Sequence, residues 1–274
     1  MRAFLDCRSM LYYSVSKLCG DTGSEMRTGS GNYVVLEVFM SKKPIRLAVR
    51  FVAFVVLAEV VSSGAISQAQ AAPYPAAAPL GQYFIPARDS EIALARSAAP
   101  ASISDGAEVL VLTKDGYVTA VKGGNGFVCL VERAWGKSTD DAEFWSPKIS
   151  APHCLNAPAA RSYLPIFLMK TKLVLAGKSK TEIGRALKSA WDRKELPALE
   201  PNAMCYMMSK QQYLSDNDVH WHPHMMWYVP GDSAKSWGAN LAGAPPFAAN
   251  VPEDRMSVFM IVVGHWSDGT PVTH

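Results

Sequence analysis

Residues 41–71 of this 274-residue chain fall into three successive parts. Lys42, Lys43, Arg46 and Arg50 make a basic stretch, and Phe51-Val52-Ala53-Phe54-Val55-Val56-Leu57-Ala58 make an apolar one. Ala69-Gln70-Ala71 is a small-x-small end, and Ala72-Pro73 follows it. That order is the anatomy of a secretory signal peptide. The apolar run is shorter than the ~20 residues a membrane-spanning helix needs, and Glu59 interrupts it. The segment 40–71 therefore predicts export, to the periplasm or out of the cell, with cleavage after Ala71 and no stable membrane anchor afterwards. An uncut N-terminal anchor is the alternative. No Cys follows the cleavage site, which argues against a lipid anchor, and no Arg-Arg pair precedes the run, which argues against a twin-arginine signal. A signal peptide belongs at the start of a chain. Residues 1–39 thus read as an upstream extension of the reading frame with Met40 as the true start; an unusually long basic leader is the alternative.

The charge distribution agrees with this division. Residues 1–71 carry eight Lys/Arg against five Asp/Glu, whereas residues 72–274 carry nineteen of each. The exported part has no basic surplus with which to neutralise phosphates, so nucleic acid is excluded as a partner. Ala72-Pro73-Tyr74-Pro75-Ala76-Ala77-Ala78-Pro79 reads as an extended linker. Asp89 can open a short helix after it, and residues 72–100 are taken as linker plus helix. Residues 101–274 are taken as a single α+β domain.

In that domain Val109–Leu112 and Tyr117–Val121 are strand-like runs around the turn signal Lys114-Asp115-Gly116. Gly123-Gly124-Asn125-Gly126 turns again into Phe127–Val131. The three runs predict a β-meander, and the glycines a tight turn rather than a phosphate loop, since no helix follows them. Residues 134–156 look irregular. Residues 159–176 have a helical pattern with Pro165 kinking or starting it and Gly177 stopping it. Ser179-Lys180-Thr181-Glu182 is a capping box. The helix it opens sets Ile183, Leu187 and Trp191 on one face. Strands return at 204–208, 225–229 and 257–263. The predicted fold is α+β, an antiparallel sheet made of the β-meander and the C-terminal strands, with a helical hairpin packed on one face.

After signal cleavage the cysteines are Cys129, Cys154 and Cys205. An oxidising compartment lets two of them pair. Cys129 with Cys154 is the expected bridge, closing a loop of roughly 25 residues worth ~3 kcal/mol in chain entropy. Cys205 lies in an apolar run and reads as a buried thiol. Three free thiols are the alternative.

Serine-hydrolase, P-loop, His-Glu-x-x-His, Cys-x-x-Cys and calcium-loop motifs are all absent. One segment stands out, His220-Trp221-His222-Pro223-His224, which holds three of the six histidines. In extended backbone, residues two apart share a face. Two or three imidazoles on one face can ligate Cu or Zn, with His222 and His224 the best placed and His220, His153 or His265 able to add to them. Against this, Pro223 bends the stretch, no carboxylate accompanies it, and histidines at strand starts often serve structure.

Asn125-Gly126-Phe127-x-Cys129, His153-Cys154-Leu155 and Pro223-His224-Met225-Met226 resemble motifs of a loose group of uncharacterised exported bacterial proteins. The resemblance spans roughly residues 96–266. It implies one compact domain and the Cys129–Cys154 pairing, and it implies no activity and no functional residue. The sequence as a whole points to an exported soluble domain with a non-catalytic binding or structural role. A periplasmic Cu- or Zn-binding protein and a hydrolase with a non-local site are the alternatives.

Overall fold

The computed structural model describes residues 73–217, 221–241 and 246–273. The leader, the upstream extension and His220 lie outside the described residues. Eight strands form one sheet in the order β2-β1-β3-β4-β5-β6-β8-β7. They are β1 (Glu108–Thr113), β2 (Gly116–Val121), β3 (Val128–Glu132), β4 (Ala151–Leu155), β5 (Met204–Met207), β6 (His224–Pro230), β7 (Phe247–Val251) and β8 (Met256–Val262). Every pairing is antiparallel except β1 with β3. The helices are α1 (Arg88–Arg96), α2 (Ala101–Ser104), α3 (Ala157–Ser162), α4 (Leu164–Leu175) and α5 (Lys180–Asp192). The α+β class with a mostly antiparallel sheet stands.

The β-meander does not form as such. β1 and β2 make the expected hairpin, with Gly116 at φ +117°. β3 then runs parallel to β1 on the side away from β2. The cause lies in burial: four of the six β1 residues are buried, whereas none of those in β2 is, so β1 needs a neighbour on each edge and β2 suits the rim. The glycine segment makes the crossing. Gly124 and Asn125 donate backbone N–H bonds to the Gly106 carbonyl, and a Cβ on Gly123 would stand 2.0 Å from the Glu108 nitrogen. Only glycine permits that approach.

Two strands emerge where the sequence looks irregular or silent. β4 contains Pro152, which argues against a central strand. Pro152 pairs with Val131 on one side, and β5 reaches only Cys154 and Leu155 on the other, so the proline sits where β4 has a single neighbour. β7 is an edge strand beside β8.

Helices cover both faces. On one face α1 packs through Ala95 with Val109, Cys129, Val131 and Cys154, joined by Ala98 and Ala99. On the other face Ala159, Tyr163, Leu164 and Phe167 of the α3–α4 segment meet Leu112, Leu130, Leu155 and Met226. Pro165 sits in the first turn of α4, where its missing N–H costs nothing, and Gly177 at φ +71° follows the helix end. Both halves of the α5 capping box are made, and Ile183, Leu187 and Trp191 are buried as their spacing predicts. Residues 72–100 are more than linker and helix: Tyr83 is buried, donates to the Trp145 carbonyl at 2.9 Å and joins the core. Among the described residues no helix is long and apolar enough to cross a membrane.

Candidate functional site

β6 begins at His224, so His222 precedes the strand on which a shared histidine face depends. His224 Nδ1 lies 2.9 Å from the His222 carbonyl oxygen. A carbonyl only accepts, so Nδ1 carries the proton and Nε2 the lone pair. That Nε2 is buried without a hydrogen-bond partner. Burial holds the His224 pKa below the usual imidazole range, partly offset by the bond to the His222 carbonyl. Among the described residues no three His, Cys, Asp or Glu side chains converge on a point that could hold a metal ion.

What His224 does join is a row of polar groups between the sheet and the α3–α4 layer. Leu130 pairs with His153, and Met207 with His224. Extending the β4–β5 register by one residue sets His153 beside Met207, so both histidines share a rung of one sheet face. Glu132 is two residues beyond Leu130 on that face. His153 Nε2 is 4.0 Å from Glu132 Oε2, and both side chains are 1% exposed. The Tyr163 hydroxyl donates to Glu132 Oε2 at 3.0 Å. Tyr163 stacks on Tyr228 with ring centroids 4.2 Å apart, and the Tyr228 hydroxyl donates to Cys205 Sγ at 3.2 Å.

Burial governs the electrostatics here. It pushes the Glu132 carboxyl up to about 8 against the pull of the Tyr163 hydrogen bond and the Lys170 charge. It pushes His153 down to about 4, against the bond to the Ala151 carbonyl. It also raises the Cys205 thiol, so this sulfur is a protonated thiol and a poor nucleophile.

Other buried charges are matched. Arg133 donates to Glu91 at 2.8 Å, to the Tyr83 carbonyl at 2.6 Å and to the Val131 carbonyl. Lys170 in α4 bonds Glu253 at 2.9 Å and Asp254 at 2.8 Å. Lys137 pairs with Glu143 and Asp141. Of these residues the sequence singles out only the pairs Asp140/Asp141 and Glu253/Asp254, which read there as solvated loop charges; Asp141 and Asp254 are instead buried against Lys137 and Lys170, and nothing in the sequence points to Glu132, Tyr163 or Tyr228. The available signal is the run Glu132-Arg133-Ala134-Trp135-Gly136-Lys137, three charges around a tryptophan directly after a strand, and all six residues are buried.

Cys129 and Cys154 stand opposite each other on β3 and β4, Cα atoms 4.0 Å apart, with their sulfurs joined. Cys205 is a free, buried thiol. An open cleft of about 400 Å³ lies on the surface, lined among others by Phe84, Ser90, Lys148, Ser150 and Gln211, with Arg133 in its wall.

Compared with models of known families, with curated proteins and with solved structures, the chain matches none. The resemblance of its short Cys and His motifs to exported bacterial proteins therefore supplies no residue role. The arrangement is that of an eight-stranded α+β domain with a sealed ionisable core.

Proposed function

We propose that the chain is an exported, disulfide-stapled soluble domain that binds a ligand and does not transform it. The observation that supports this reading is the burial of the side chains suited to chemistry in the polar row: Glu132, His153 and Cys205 are each 1% exposed or less, and His224 is 8% exposed. A catalytic constellation must reach its substrate within hydrogen-bond distance. The surface cleft is a better seat for a ligand, since its lining mixes apolar Phe84 and Leu94 with polar Ser90, Ser150 and Gln211. The bridged pair Cys129–Cys154 suits an oxidising compartment.

The test is cell fractionation of the expressed full chain, followed by treatment of the exported native protein with iodoacetamide. Export with an N-terminus at Ala72, and Cys205 alkylated only in denaturant, support the reading. Retention in the cytoplasm overturns the export half. Alkylation of Cys205 in the native protein at the rate of a free thiol reveals a solvent path to the polar row and overturns the non-catalytic half in favour of a hydrolase.

A further inference from the structure

We propose that Glu132 and His153 share a single proton in the core, carried on the carboxyl, and that this proton keeps the α3–α4 layer seated on the sheet and lets it loosen in alkaline solution.

The surroundings of the pair favour one shared proton over none. His153 Nδ1 lies 2.9 Å from the Ala151 carbonyl oxygen, which can only accept, so Nδ1 bears a hydrogen. The other ring nitrogen, Nε2, then presents a lone pair toward Glu132 Oε2, 4.0 Å away. If Glu132 were ionised as well, lone pairs would face each other in a site 1% exposed. Glu132 Oε1 is buried with no donor at all. Glu91 is a built-in contrast. It is equally buried, and it receives both the Arg133 guanidinium at 2.8 Å and the Leu112 N–H at 3.2 Å. That is the provision a buried carboxylate needs, and Glu132 lacks it. The ammonium whose charge acts on it, that of Lys170, is committed to Glu253 and Asp254.

The remaining groups around the pair do not supply a second cation. Tyr163 donates one hydrogen bond from the helical layer, and Asp254 adds a like charge from the turn before β8. Tyr117 on β2 and Cys205 on β5 are neutral, their pKa values pushed up by burial. His224 on β6 disfavours a charge on His153. Burial raises the carboxyl to about 8 and lowers the imidazole to about 4, so the proton sits on the carboxyl.

The linkage follows with its sign. The ordinary values are 4.5 for the carboxyl and 6.5 for the imidazole. Between them the unfolded chain holds one proton, on the imidazole, and the folded chain holds one, on the carboxyl. Folding moves the proton without exchanging it with solvent, and this pair contributes no slope. Above 6.5 the unfolded chain holds none while the folded chain keeps its proton up to about 8. The raised carboxyl pKa is thus a stabilisation lost as pH rises through that window. One proton corresponds to about tenfold in the folding constant per pH unit, so roughly 30-fold across it. Tyr163 transmits the loss, because it ties Glu132 to the junction of α3 and α4 and stacks on Tyr228 in the sheet.

The experiment is chemical unfolding of the mature protein from pH 5 to 9, wild type beside Glu132→Gln, with amide hydrogen exchange of α3 and α4 in the wild type. The wild-type folding constant, which the lowered His224 pKa makes rise toward pH 6.5, should turn over there and then lose roughly 30-fold by pH 8. Exchange in α3 and α4 should rise in that window once intrinsic rates are removed. Glu132→Gln, which mimics the neutral carboxyl, should abolish the fall. An equal fall in both proteins, or none in the wild type, overturns the proposal. If the variant does not fold, the ¹³C shift of the Glu132 side-chain carboxyl and the ¹⁵N shift of His153 Nε2 in the wild type decide. A carboxyl that stays protonated to about pH 8 beside an unprotonated Nε2 supports the carboxyl as the proton's seat, and an imidazolium or a Glu132 carboxylate already at pH 5 overturns it.

Discussion

Buried charge in this protein is tolerable because each ion is placed against what it needs. Arg133 is 1% exposed and engages Glu91 and two backbone carbonyls, and Lys170 reaches two carboxylates. His224 follows the same logic as a neutral donor: its Nδ1 hydrogen is spent on the His222 carbonyl and its Nε2 is enclosed. A metal shared with His222 would have to break that bond or open the core. Calorimetric titration of metal-free protein with Cu(II) and Zn(II) is therefore expected to give no micromolar binding. Micromolar binding that disappears in a His222→Ala/His224→Ala double variant would restore the metal reading. Local spacing made these histidines visible in the sequence. The sequence offers His153 as a companion of His224 but not its place, because Pro152 disguises its strand, and it gives no sign of Glu132, which lies at the end of another strand beside His153.

At the level of elements, legibility tracked locality. The β1–β2 hairpin, the α5 capping box and the Gly177 stop are written within a few residues and were readable. The place of β3 was not, because a tight turn and a backbone crossing use the same glycines. Which of the two forms depends on whether β1 has a free edge that must be covered. The crossing has a sharp consequence. An added Cβ at Gly123 meets the Ala107 and Glu108 backbone at 2.0–2.7 Å, whereas one at Gly124 meets nothing within 4 Å. Backbone cannot move aside as a side-chain tip can. Gly123→Ala is expected to destabilise by about 3 kcal/mol through overpacking, and Gly124→Ala by less than about 0.5 kcal/mol. Denaturant midpoints of the two variants at unchanged m-value check this. Equal midpoints would mean that β3 does not cross over β1 at this loop.

At the scale of the whole domain, the sheet separates two chemistries by the alternation of its side chains. Cys129 and Cys154 face α1, among small apolar side chains. Cys205 pairs in register with Leu155, whereas Cys154 pairs with Tyr206, so Cys205 points to the opposite face, into the α3–α4 core. No rotamer change brings Cys205 through the sheet to either partner; the register would have to slip by one residue, which would turn the buried face of β5 outward. The pairing is thus fixed by topology as well as by proximity. The bridge joins residues 25 apart in strands that already pair, so it acts chiefly by restricting the unfolded chain, worth about 3 kcal/mol. Non-reducing peptide mapping of the protein should yield one linked peptide pair, Cys129 with Cys154. A Cys129→Ala/Cys154→Ala double variant should retain the fold and melt roughly 10 °C lower. Any bridge to Cys205, or a melting temperature insensitive to loss of the pair, would contradict the two-faced arrangement of the sheet.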